Sequence, residues 1–347
     1  CCLLVNHDEQ ITVYEELARK LNLKNADGSE VVSKPTHFIN THSPENKVDV
    51  AFVDEAHLLL TQGKQSYNGK NQLEDIIKRA RITVIMFDEN QILTTEEFWE
   101  ADRLLEIRRR SKEQENYFRL TNQLRMIANK DTMDWINGIT IDGKIGDLHL
   151  DSNYEIRCFD TPKELYEAIC EKAENEDFRL SRMIATYDWD YHDNRPPADR
   201  KYWSVQIGDF EMPWNRELTK ELSGKEKRKI KHLAWAEQPQ TIREIGSTFT
   251  IQGFGLSYAG VIIGPSVRFR DNRIQFVPEE SFSEKAVRNR TLSDGSKQSF
   301  GEELLRHELR VLMTRGVKGL YIYAVDDELR TALKKSIERL DFIRYSK

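Results

Sequence analysis

Val48-Asp49-Val50-Ala51-Phe52-Val53-Asp54-Glu55-Ala56-His57 is the stretch that decides the fold. Six residues rich in Val and Phe form a buried strand, and the strand ends abruptly in two acids. In open α/β sheets, ligands bind outside the carboxyl ends of the strands. Two acids at such an end suit a magnesium nucleotide. The first holds the metal through its water shell, and the second orients or deprotonates the attacking water. A plainer reading is also open: acids here can cap the next helix. A second apolar strand follows, Ile82–Phe87, and runs into Asp88-Glu89-Asn90-Gln91. A Gln there is placed to hydrogen-bond a terminal phosphate or the attacking water. On its own this segment is a polar loop.

The surrounding chain repeats the strand and helix alternation expected of parallel sheets covered by helices. Leu3–Val5 reads as a strand and Glu9–Leu21 as an amphipathic helix. Gln72–Ala80 reads as a helix, Glu96–Arg110 as a charged helix with Trp99, Leu104, Leu105 and Ile107 on its apolar face, and Tyr117–Leu120 as a strand. The first unit ends near Gly146. A second set begins with strand Tyr154–Phe159 and a helix over Thr161–Glu174 opened by Thr161-Pro162. Strand Met183–Tyr187 follows. Residues 188–245 break the rhythm, being polar, Pro-containing and aromatic. Strands Ser247–Ile251 and Gly260–Ile263, a helix over Glu302–Leu312, strand Leu320–Val325 and a helix from Glu328 restore it. No internal repeat is present. The expected fold is α/β with two lobes, 1–146 and 147–347, the second carrying an insertion at about 188–245.

Composition bounds the rest. The chain has 347 residues, 39% hydrophobic and 32% charged, with a net charge of 52 − 58 = −6. This supports a packed core and about two domains, and argues against wholesale disorder. The acidic balance is not that of a protein that coats nucleic acid, although a local basic groove is compatible with it. No apolar run approaches the ~20 residues of a membrane span. The four cysteines, Cys1, Cys2, Cys158 and Cys170, form no C-x-x-C pair. Reduced thiols and a cytoplasmic location are the expectation.

Taken in order, the motifs resemble the core of superfamily 1 helicases. Asp54-Glu55-Ala56-His57 resembles their Walker B motif and Asp88-Glu89-Asn90-Gln91 their third motif. Leu120-Thr121-Asn122-Gln123-Leu124-Arg125 resembles the fourth, Thr250-Ile251-Gln252-Gly253-Phe254 the fifth, and Arg310 to Gly316 the sixth. More narrowly, Phe210 to Asn215, Gln252 to Gly264 and Val311 to Asp326 resemble an uncharacterised family of ATP/GTP-binding proteins with a Schlafen-like helicase core. The resemblance implies two RecA-like P-loop NTPase lobes that hydrolyse ATP between them. It implies that Asp54 holds Mg²⁺, Glu55 activates water and Gln91 senses the terminal phosphate. Arg125 and Arg315 would stabilise the transition state, with Gln252 and Gly253 beside the nucleotide.

Three departures weigh on that reading. No G-x-x-x-x-G-K-[ST] loop occurs, so the chain is expected to start just after one, and ATP binding by this piece alone to be poor. Gly255 stands where the family carries a Glu, and Phe249 where helicases often have His. His57 is not diagnostic, and a structural, hydrogen-bonding role is the expectation for it. An alternative is therefore a degenerate, helicase-like nucleic-acid-binding or regulatory module, possibly joined to an upstream nuclease domain. A metal-dependent hydrolase built on Asp54, Glu55 and His57 is poorer, because adjacent residues project in different directions.

Single-stranded DNA or RNA is the expected partner. Four of the six tryptophans, Trp189, Trp203, Trp214 and Trp235, lie in the inserted segment beside the basic run Lys225–Lys231. Trp189, Trp203, Lys227 and Arg228 are the candidate strand contacts. The competing reading is a small subdomain whose tryptophans fill its own core beside a solvated helix.

Overall fold

In the computed structural model, residues 1–63, 66–120 and 125–345 are described, residues 9 and 338–345 by their backbone alone. The chain is mixed α/β and separates into two compact units. One comprises Cys1–Asn6, Ala18–Leu124 and Arg288–Phe300, the other His7–Leu17, Arg125–Val287 and Gly301–Lys347.

The first unit is built on a four-stranded parallel sheet. Its strands are β1 (Cys2–Leu4), β2 (Val32–Ser33), β3 (Val48–Val53) and β4 (Ala80–Ile85), in the order β2-β1-β3-β4. Leu4 pairs with Val53, and Val53 with Ile85. The deciding strand occupies the expected residues but is not buried throughout. Ala51 and Val53 are buried, whereas Phe52, Ile82, Val84 and Met86 are exposed. Successive side chains point to opposite faces, so only one face of β3 reaches the core.

The second unit centres on a parallel sheet of β5 (Glu155–Cys158), β6 (Arg182–Ala185), β9 (Leu256–Ile263) and β14 (Gly316–Ala324), in the order β5-β14-β9-β6. Its two central strands are buried almost end to end, as expected of strands covered on both faces. Val261, Leu320 and Ile322 face one core with Leu305, Leu309 and Leu312 of the helix Gly301–Met313. Tyr258, Ile262 and Tyr321 face the other with Leu165 and Ile169 of the helix Pro162–Glu174. That helix starts with the expected cap: Thr161 accepts from the Glu164 N–H while Glu164 reaches back. Three antiparallel hairpins complete the described strands, the first two in this unit and the third in the first unit. They are β7 (Ser204–Ile207) with β8 (Phe210–Pro213), β10 (Val267–Arg270) with β11 (Arg273–Phe276), and β12 (Arg290–Thr291) with β13 (Lys297–Gln298).

Several local expectations are corrected. Ser247–Ile251 is not a strand: Ser247 caps a short helix, Thr248–Ile251, through a capping box with Thr250. The β-branched run loses to the cap. Tyr117–Leu120 pairs with no described strand, and Phe118 and Leu120 are exposed. The helix expected from Glu96 starts at Ala101. Before it, Glu96 is buried and ion-paired with Arg288, and Trp99 is buried against Phe87.

Residues 188–245 pack onto the second sheet rather than forming a separate core. Trp203, Val205, Met212 and Trp214 share a cluster with Met183 and Tyr321. Glu244 is wholly buried beneath them, accepting from the Trp235 indole N–H at 2.7 Å and the Leu218 N–H at 2.8 Å. Burial outweighs those bonds and pushes its carboxyl up to about 8. The unfolded chain holds this proton only below the usual carboxylate range. Stability from protonated Glu244 is therefore full below about pH 4.5 and is lost as pH rises toward 8. The melting temperature should fall across that window, and Glu244→Gln should flatten the fall. Equal slopes in the two proteins would contradict it.

Candidate functional site

The chain turns sharply where β3 ends. The Asp54 N–H donates to Leu4 O at 3.0 Å, continuing the ladder to β1, and the Ala56 N–H crosses to Met86 O at 2.8 Å. Between them Glu55 takes a left-handed conformation, φ 48° and ψ 47°. A non-glycine residue held there is strained, and such strain gathers at functional sites. The Asp54 carboxylate accepts the Glu55 N–H at 2.9 Å. Both acids stand at the carboxyl end of β3, as expected.

His57 is buried one turn further on. Its Nδ1 accepts the Asp88 N–H at 3.4 Å, and its Nε2 lies 3.1 Å from Glu55 Oε2. With Nδ1 accepting, Nε2 faces the Glu55 carboxylate at ion-pair distance but makes no well-formed hydrogen bond to it. His57 thus ties the end of β3 to the segment after β4 and sets its ring beside the Glu55 carboxylate. The three residues do not converge on a common metal point. Among the described residues no group of three or more His, Cys, Asp or Glu is arranged to hold a metal ion.

Asp88 organises the segment after β4. It caps the turn Glu89–Gln91 by accepting the Asn90 N–H at 3.1 Å, and it receives the Gln91 side-chain amide at 2.9 Å. Burial raises its proton affinity, but the bonds from Gln91 and Asn90 outweigh that and hold its carboxyl below the usual range. Asp54, Glu55 and Gln91 therefore lie at the ends of adjacent strands, each braced by a backbone or side-chain bond. A structural, hydrogen-bonding role for His57 is the sequence expectation and fits its bond to Asp88, whereas the capping role of Asp88 was not read from the sequence. The D-x-x-Q spacing carried the signal for Asp88, because an Asp before a tight turn commonly caps it.

The remaining candidates belong to the second unit. Gln252 ends the short helix Thr248–Ile251 and is buried. Gly253 has φ +81°, and a Cβ there would fall 2.4 Å from the Gln10 side chain. The Leu256 N–H donates to Arg315 O at 2.8 Å, and the Ile127 N–H to Val317 O at 2.9 Å. These bonds bring Arg315 and the segment after Arg125 to the amino ends of β9 and β14, with Gln252 four residues before β9. Residues 121–124 of the fourth motif lie outside the described residues. Arg315 is fully buried, with its Nε donating to Val311 O at 2.9 Å. The next residue, Gly316, sits at a register shift in β14, where a Cβ would lie 2.0 Å from Gly319 O. Backbone cannot yield as a side-chain end can. Gly316→Ala should lower the stability of this unit by about 2–4 kcal/mol and displace Arg315. Denaturant unfolding checks this, and a loss below about 0.5 kcal/mol would contradict it.

The strand-contact candidates separate by environment. Trp203 is buried, its indole donating to Arg195 O at 2.7 Å. Trp189 is partly buried, donates to Gln206 O at 3.0 Å and packs edge-on against Trp214. Lys227 and Arg228 are exposed on the helix Gly224–Ile230. Lys227 Nζ donates to Lys220 O at 3.0 Å, which joins this helix to its neighbour Glu217–Glu221.

Comparison with known proteins fits this arrangement. The family described as Schlafen group 3, DNA/RNA helicase domain matches residues 1–326. An uncharacterised protein of Saccharomyces cerevisiae is 30% identical over 359 aligned positions, covering 95% of this chain and 74% of that protein. No helix among the described residues is long and apolar enough to cross a membrane. The ordered motifs, the parallel α/β sheets and a family match over nearly the whole chain together make this chain a member of the Schlafen group 3 DNA/RNA helicase domain family.

Proposed function

We propose that the chain belongs to a superfamily 1-type, nucleic-acid-associated ATPase and that its two units are RecA-like lobes. The observation that carries this reading is the pair Asp54 and Glu55 at the carboxyl end of β3, with Glu55 strained and its carboxylate beside His57. The site suits Mg²⁺ that arrives with a nucleotide. Mg²⁺ is commonly bound through one or two protein carboxylates, with phosphate oxygens and water completing its shell. Asp54 offers one such carboxylate. When bound, the ion would neutralise charge on the phosphates.

The chain's own residues then divide the work. Asp54 orients the metal's water shell. Glu55 accepts a proton from the attacking water, with His57 beside its carboxylate. Gln91, positioned by Asp88, reads the terminal phosphate. Arg125 and Arg315 add positive charge where the transition state spreads negative charge. Gln252 and Gly253 lie beside the nucleotide. Lys227 and Arg228 contact the backbone of a single strand of DNA or RNA. A second reading, a regulatory module that binds strands without hydrolysis, is favoured by the enclosed Arg315 and by Gly255 in place of an acid.

Magnesium titration of nucleotide binding by the full-length protein tests the assignment. Asp54→Asn should raise the Mg²⁺ needed for half-maximal binding of a fluorescent ATP analogue by about tenfold or more. An unchanged requirement would remove Asp54 from the metal site.

A further inference from the structure

A second group of buried oxygens lies within the second unit, remote in sequence from Asp54. Asp188 stands three residues beyond the end of β6, Ser266 three residues beyond the end of β9, and Glu308 on the helix Gly301–Met313. They are 3%, 0% and 5% exposed.

Each acid is gripped through one oxygen. Asp188 Oδ2 accepts from Thr186 Oγ1 at 2.9 Å and from the Ser266 N–H at 3.0 Å. Glu308 Oε1 accepts the Tyr187 N–H at 3.1 Å. The other oxygen of each, Asp188 Oδ1 and Glu308 Oε2, makes no well-formed hydrogen bond. The Ser266 hydroxyl also makes no well-formed hydrogen bond, although it lies against the Asp188 carboxylate. The backbone at Gly264 closes the other side, since a Cβ there would fall 2.3 Å from Asp188 Oδ2.

No basic side chain among the described residues pairs with either acid. The charges felt most are acidic, Glu280 by Asp188 and Asp188 by Glu308. Two unneutralised buried carboxylates are strongly unfavourable, so each must either take up a proton or be accompanied by a cation. A single proton shared between the two free oxygens would join them in a hydrogen bond, and none joins them. Three unsatisfied oxygen acceptors, with the carboxylates held from behind by N–H and O–H donors, are the arrangement that orients ligands on a hard cation.

We infer that Asp188, Glu308 and Ser266 form a binding site for a hard divalent cation of the Mg²⁺, Ca²⁺ or Mn²⁺ class, water completing its shell. The ion fastens the helix Gly301–Met313 to the ends of β6 and β9, and this helix leads directly into Arg315.

The test uses full-length protein stripped with EDTA and kept free of nucleotide. Mg²⁺, Ca²⁺ and Mn²⁺ are each added alone and thermal unfolding is followed, with Mn²⁺ binding counted by electron paramagnetic resonance. At least one ion should raise the unfolding midpoint by a few degrees. Asp188→Asn and Glu308→Gln should weaken its binding by about tenfold or more, while Asp54→Asn leaves the shift intact. Should the variants fold poorly, the wild-type Mn²⁺ count decides: a bound ion that survives Asp54→Asn supports the site. Absence of such an ion overturns it. So does a Glu308→Gln protein that is more stable than wild type without any cation, because protons would then hold the acids.

Discussion

Glu55→Gln should lower strand-stimulated ATP turnover by the full-length protein by about two to four orders of magnitude, the usual contribution of a positioned general base. The substitution keeps the size of the side chain and an oxygen facing His57 Nε2, now 3.1 Å from the carboxylate. It removes the charge that would accept a proton from water. Folding and nucleotide affinity should therefore change little, and the loss should fall on kcat rather than KM. Equal loss of nucleotide binding would show that Glu55 shapes the turn after β3 rather than performing chemistry. The left-handed backbone at this residue sharpens the comparison. Glu55→Gly would relieve that strain while removing the base, so it should be inactive yet no less stable. A fully active Glu55→Gln protein would exclude Glu55 as the base.

The second large effect separates packing from strand binding. Trp203→Ala should lower the stability of the second unit by about 3–5 kcal/mol. The ring is buried in the cluster with Met212 and Trp214, and its N–H satisfies Arg195 O. Arg228→Glu should do the opposite. Arg228 is exposed, and its Nε donates to Gly224 O on its own helix. Stability should move by less than about 0.5 kcal/mol, while affinity for a single strand falls and the salt dependence of binding becomes shallower. Denaturant unfolding and strand titrations at two salt concentrations measure both. Should Trp203→Ala leave stability unchanged and abolish strand binding, the indole serves the strand and not the core.

The parts of the fold that were legible in the sequence rest on strong local physics. Val48–Val53 could be bounded to the residue because a β-branched apolar run stops at two charges. The helix after Thr161 was readable because a capping Thr followed by a Pro at the first helical position is a strong start signal, and the structure adds Glu164, which closes a capping box. The missed parts are those in which a distant partner decides. Ser247–Ile251 has strand-forming side chains, yet Ser247 closes a helical turn, and a Cβ at Gly246 would lie 2.7 Å from the Trp235 ring. Glu96 reads as a helical surface residue, yet its partner Arg288 is far along the chain. At the site, strand-end acids are visible in one dimension. The link from Asp88 through His57 to Glu55 crosses two strands and is not. Nor does a sequence reveal that Arg315 is enclosed, since burial depends on what packs around the start of β14.

Steady-state ATP hydrolysis by the full-length wild-type protein, measured with and without single-stranded DNA or RNA, bears most directly on the assignment of Asp54 and Glu55. Magnesium-dependent turnover that rises when a strand is added, and is lost in Glu55→Gln, is the expected result. Tight strand binding with no hydrolysis under any of these conditions, and no effect of ATP analogues on that binding, would contradict it and leave a helicase-like fold that serves as a binding module.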